Sequence, residues 1–212
     1  MRAQIVWFTA TAVAALVTVG AGAQSPTPMS DKAAHKASQV ITEWKATPRE
    51  VAQKMIGKYG EPNEVTANRL IWHNNGPWKI TELVNEEIPH DFPVPHKDML
   101  YQAIGYRIDP EKATALLSYD GSVILERTKG LIAARCDKEE MNFLAVNLAN
   151  DVATGKKSVG DARRFYAESA MAMMKENKVG EYLKGFQFKV PSGDQGDRDK
   201  PFGPMGTSMK QQ

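Results

Sequence analysis

Leu70-Ile71-Trp72-His73-Asn74-Asn75-Gly76-Pro77-Trp78-Lys79-Ile80 decides how this chain folds. Apolar and polar residues alternate on either side of Asn-Asn-Gly-Pro. Asn and Gly tolerate the positive φ of a tight turn, so the stretch predicts an antiparallel hairpin. Pairing His73 with Trp78 puts Ile71, His73, Trp78 and Ile80 on one face and Leu70, Trp72 and Leu83 on the other. A tryptophan on each face implies a hairpin inside a larger structure, with helices on one side and partial cover on the other.

Outward from this hairpin, the sequence alternates helical and strand-like periods. Toward the N-terminus, Ser30 caps a helix to about Lys45, and Thr47-Pro48 opens a second helix that Gly60 ends. Toward the C-terminus, Pro89, Pro93 and Pro95 make residues 86–98 an extended loop, with a short helix from Lys97 to Gly105. Asp109-Pro110 opens another helix to Ser118. A second hairpin then spans Val123 to Cys136, centred on Lys129-Gly130, with Val123 opposite Cys136. Asp137 and Glu140 read as a capping box for a helix that Gly155 closes, and Ser158 and Asp161 cap the next. These features predict an α+β protein in which two antiparallel hairpins form a small sheet covered by helices, followed by a C-terminal antiparallel helix pair. Residues 47–190 read as a single α+β domain, 24–46 as spacer and N-terminal helix, and 191–212 as a disordered or loosely packed tail poor in apolar residues.

The N-terminus carries an address. Met1-Arg2, an apolar run from Ile5 to Val19 and Ala21-Gly22-Ala23 before Gln24 have the three parts of a secretory signal peptide, residues 1–23. A membrane anchor is the alternative, but it needs about 20 consecutive apolar residues, and Thr9, Thr11 and Thr18 dilute the run. The expected location is periplasmic or secreted, with no transmembrane segment in the mature chain. With 27 basic and 25 acidic residues the net charge is +2, and cleavage removes Arg2 alone, leaving +1. No global field favours nucleic acid. Cys136 is the one cysteine, so no internal disulfide forms. Its place on the more apolar hairpin face favours a buried thiol over a reactive or intermolecular one.

Two stretches offer binding candidates. Trp72, His73, Asn74, Asn75 and Trp78 would form an aromatic recognition surface if exposed, and core plus turn chemistry if buried. His90, Asp91 and His96 sit in the proline-rich loop and, with His73, would supply a zinc-like set of histidines and a carboxylate. Their spacing matches no established metal motif, so no metal or cofactor is assigned from sequence. The same holds for catalysis: Ser118 to Ser122 lacks the strand-to-helix context of a nucleophile elbow, and no phosphate loop, dinucleotide fingerprint or paired-cysteine motif occurs. Met171, Met173 and Met174 read as core filler, with no histidine near them in sequence to suggest copper.

The stretch Thr47 to Trp72, a capped helix followed by Tyr59-Gly60-X-Pro62 and a strand carrying Trp72, resembles the helix-to-hairpin unit of small envelope proteins such as the minor lipoprotein of the outer-membrane barrel-assembly machine. It departs from that family in lacking the lipid-bearing cysteine and in the wide spacing of Val51 from Gly60. The resemblance implies a non-enzymatic envelope module. The functional expectation is therefore an exported binding or assembly module, acting on an envelope protein or a small ligand. The alternative is a metal-assisted or histidine-dependent hydrolase.

Overall fold

The computed structural model describes residues 34–201, so the predicted leader, the start of the first helix and the last part of the tail lie outside the described residues. The described chain is a single six-stranded antiparallel sheet with six helices. The strands are β1 (Glu64–Thr66), β2 (Arg69–Asn75), β3 (Trp78–His90), β4 (His96–Gly105), β5 (Val123–Glu126) and β6 (Leu131–Cys136), in the order β1-β2-β3-β4-β6-β5. The helices are α1 (Ala34–Val40), α2 (Ala46–Tyr59), α3 (Ala113–Tyr119), α4 (Glu139–Ala153), α5 (Val159–Glu176) and α6 (Glu181–Lys184). None of the described helices is long and apolar enough to cross a membrane.

Both predicted hairpins form, each with its register displaced by two residues. Asn75 pairs with Trp78 and His73 with Ile80, while Val123 pairs with Ala134 and Leu125 with Ile132. A shift of two leaves each strand's alternation unchanged, because side chains repeat every second residue. Leu70, Trp72, Thr81, Leu83, Leu100 and Gln102 accordingly share the helix-covered face, joined across β6 by Ala134 and Cys136. His73 and Tyr101 belong to the opposite face and are at least partly exposed.

The main departures from expectation are in the middle of the chain. Lys97 to Gly105 is a strand, the centre of the sheet, because Asp98 to Leu100 and Gln102 to Ile104 are buried on both faces between β3 and β6. A short run buried on both sides lacks the alternation that marks a half-exposed strand. Residues 86–90, predicted as loop, belong to β3. Pro89 fits there because β2 pairs with β3 only as far as Val84, so the missing N–H of proline falls on an unpaired edge. At α4 the N-cap is Lys138 with no side-chain hydrogen bond, so Asp137 does not cap. Ser158 caps α5 as predicted, accepting from the Asp161 N–H.

Residues 194–199 lie against the β5–β6 turn. The Asp197 N–H donates to the Arg127 carbonyl at 3.0 Å, and Arg127 pairs with Asp197 and Asp199. Gly130, at φ 63°, makes this approach feasible: a Cβ there would fall 2.1 Å from the Gln195 carbonyl carbon.

Two apolar clusters fill the space between sheet and helices, one around Trp44, Trp72 and Leu83, the other around Trp78, Leu144 and Tyr166. Glu139, at the first turn of α4, stands where they meet. Its carboxylate accepts from Tyr59 Oη at 2.5 Å, Trp78 Nε1 at 2.7 Å and Gln102 Nε2 at 3.2 Å, and pairs with Lys58 Nζ. Burial alone would raise the Glu139 carboxyl, but the hydrogen bonds from Lys58, Tyr59 and Trp78 outweigh it and hold the group below its ordinary value. Its stabilising contribution is therefore complete above the unfolded carboxylate value of about 4.3 and is lost as pH falls through the lower folded value. Glu139→Ala, which removes the acceptor shared by four donors, the buried Trp78 N–H among them, should cost about 3 kcal/mol in denaturant unfolding at neutral pH. Glu139→Gln should flatten the acid limb of stability against pH. A loss below about 0.5 kcal/mol for Glu139→Ala would contradict this role.

Candidate metal centre

The strand alternation that puts Leu83 on the helix-covered face would turn His90 away from it, since their numbers differ by an odd count. An irregularity in β3 reverses this. Between Leu83 and Ile88, β3 advances five residues while β4 advances only two, from Leu100 to Asp98. The excess of three residues is odd and inverts the alternation. Ile88 then pairs with Asp98 and His90 with His96, so His90, His96 and Asp98 share the helix-covered face. The connecting loop is held down by Phe92, whose ring lies 5.1 Å from that of Tyr166 and 3.9 Å beneath the Arg163 guanidinium.

The side chains converge. His90 Nδ1 lies 3.2 Å from Asp98 Oδ2, and His96 Nε2 lies 3.1 Å from Asp98 Oδ1. One ligand atom from each of these three residues falls within 4.8 Å of the other two. Yet His90 Nδ1, His96 Nε2 and Asp98 Oδ1 are buried without a well-directed hydrogen bond, as is Asp120 Oδ2 close by. Those four are half of the eight such buried atoms found among the described residues, so the shortfall is concentrated here.

What stands behind the rings fixes how they point. His96 Nδ1 is 2.8 Å from the Val94 carbonyl oxygen, which can only accept, so Nδ1 carries a proton and the ring turns Nε2 toward Asp98. His90 Nε2 lies 3.6 Å from Asp120 Oδ1, itself anchored by the Ser122 N–H at 2.8 Å and the Ser122 hydroxyl at 2.9 Å. A carbonyl behind one imidazole and a carboxylate behind the other is the support that metal-binding histidines require. Asp98 and Asp120 have no lysine or arginine ion-pair partner among the described residues. With neutral histidines the cluster carries two uncompensated negative charges. Asp98 therefore favours any cation at His96, a proton included: the Asp98 carboxylate 3.1 Å away, and after it Cys136, pushes His96 up to about 11.

The cluster lies just below the surface, each imidazole 17% exposed, beside a cavity of about 60 Å³ lined in part by His96, Cys136, Met141 and Met173. The cavity suits an ion and a water, not an organic substrate, which needs several hundred Å³. A larger cleft, about 480 Å³, runs between α2 and the start of α4, but the Glu139 carboxylate on its wall is already engaged by four donors. Cys136 is buried, and burial pushes its thiol up, so it is no activated nucleophile.

The structure divides the residues singled out from sequence. His90 and His96 come together. Asp91 is exposed and outside the cluster, and His73 is on the opposite face, paired with Glu64 at 2.6 Å, so it cannot join them. Trp72 and Trp78 are core residues, 2% and 1% exposed, each with its indole N–H satisfied, Trp72 by the Gly60 carbonyl and Trp78 by Glu139. Asn75 is buried beside the turn, and Asn74 takes φ 52°. Asp98, Asp120 and Cys136 are added by the fold. The signal for Asp98 was His96-X-Asp98, which puts both side chains on one face only if the segment is a strand. The methionine picture also changes, since the fold brings Met173 and Met174 to a cavity that His96 shares.

Comparisons of the chain with protein-family models, curated proteins and solved structures give no match, so the resemblance of residues 47–72 to envelope modules gains no support from them. If the tryptophans are structural, Trp72→Ala and Trp78→Ala should each cost about 3–5 kcal/mol by chemical denaturation. A cost below about 1 kcal/mol would return them to the surface.

Proposed function

We propose that this protein is an exported binding module whose ligand is a divalent transition-metal ion, held by His90 Nδ1, His96 Nε2 and the Asp98 carboxylate. The observation that carries the reading is the convergence of His90 Nδ1, His96 Nε2 and the Asp98 carboxylate, whose ligand atoms lie within 4.8 Å of one another, three of them buried without a well-directed hydrogen bond. Two imidazoles and one carboxylate suit zinc and its neighbours in the first transition series. Asp120 and the Val94 carbonyl orient the rings, and the two carboxylates supply the charge that a divalent cation balances. The leader, residues 1–23, motivates the location outside the cytoplasm. The hydrolase alternative has less support, because a cavity of about 60 Å³ beside the ligands leaves no room for a substrate.

The test is titration of the purified chain, stripped of metal by chelator, with Zn²⁺ under calorimetry and thermal denaturation. One equivalent should bind. At free zinc 100-fold above Kd, the stabilisation should be about 2.7 kcal/mol, and His96→Ala and Asp98→Asn should abolish both effects. Deleting Glu86 should also abolish binding, because it makes the excess of residues in β3 even and returns His90 to the other face. Absence of binding to the wild-type chain, or equal binding by the His96 and Asp98 variants, would refute the assignment.

A further inference from the structure

Three protein ligands leave one tetrahedral position, and β6 ends beside it. In the β4–β6 register Leu100 is opposite Cys136, which puts Cys136 on the face of Asp98 and one diagonal step away on the neighbouring strand. The thiol lines the same small cavity as the His96 ring, and its one hydrogen bond is a long contact, 3.5 Å, to Asp137 Oδ1. Asp98, 4% exposed, holds Oδ1, which has no well-directed hydrogen bond, 3.1 Å from the Nε2 of His96, a residue that lines this cavity. Resting on the metal reading above, we propose that Cys136 is the fourth ligand, and that the site therefore selects a thiophilic or borderline divalent ion such as Zn²⁺ or Co²⁺ over Mg²⁺ and Ca²⁺.

The sulfur lies outside the group of three mutually close ligand atoms, so coordination turns it toward the ion. The S–H bond breaks, a sulfur–metal bond forms, and the proton passes to water. The thiol gives up one proton for each ion bound, and no oxidant or reductant is needed. Thiolate ligation explains a preference that two imidazoles and a carboxylate alone would leave weaker, since hard cations avoid sulfur.

Cobalt(II) titration of the full chain tests this directly. Cys136 is the one cysteine, so any thiolate-to-cobalt charge-transfer band in the near ultraviolet belongs to it. The expected spectrum has that band together with the visible ligand-field bands of tetrahedral cobalt, and saturates at one equivalent. C136S should lose the ultraviolet band, retain visible bands and bind about 10- to 100-fold more weakly. A wild-type spectrum with visible bands and no charge-transfer band overturns Cys136 ligation while leaving the His90, His96 and Asp98 site intact. A spectrum with neither overturns both. The wild-type result stands whether or not C136S folds, and cobalt protection of the thiol from alkylation in the wild-type chain is a second readout: unchanged alkylation would count against ligation.

Discussion

A buried carboxylate survives in a protein interior only if every lone pair is used, and Glu139 is where this structure meets that demand. Its four donors come from α2, β3 and β4, while the carboxylate itself belongs to α4. Two apolar clusters that would otherwise pack independently are thereby held in one relation. The same face of the sheet, kept in place by this junction, carries the histidine cluster at the ends of β3, β4 and β6. Glu139 and Asp98 are opposites in this respect. One is saturated by donors from the protein, and the other is faced by two imidazoles with no lysine or arginine paired to it among the described residues.

That contrast is the basis for reading a cation into the second site. In ordinary cores, buried carboxylates are paired or hydrogen-bonded, because an unpaired one costs several kcal/mol. Around Asp98 the nearest groups are two imidazoles whose outer nitrogens face a carbonyl and a second carboxylate. The arrangement has the polarity of a cation site from its centre outward. It exists because β3 carries three residues more than β4 between Leu83 and Ile88, an insertion that turns the end of the strand over.

The fold class was legible because it rests on local signals: Asn-Asn-Gly-Pro at a turn, proline near a helix start at Pro48, Ser158 as a cap. Register was off by two in both hairpins, yet the faces survived because two is the period of a strand. The middle of the chain resisted reading for physical reasons. β4 is buried on both sides and shows no alternation, and Pro89 sits in a strand only because its neighbour β2 stops short at Val84. His90 and His96 were visible as metal-type residues. The carboxylate the fold sets beside them was hidden: Asp91 is adjacent to His90 in sequence, whereas only a strand through His96 brings Asp98 alongside. His73 seemed near because alternation and the sheet's two faces do not show in linear distance.

The most direct measurement is a crystal structure of the zinc-soaked protein recorded at the zinc absorption edge. The account predicts an anomalous peak between His90 Nδ1, His96 Nε2 and Asp98, at about 2.0–2.2 Å from each. A protein with no peak there, and with both imidazoles hydrogen-bonded as imidazolium to Asp98 and Asp120, would contradict it.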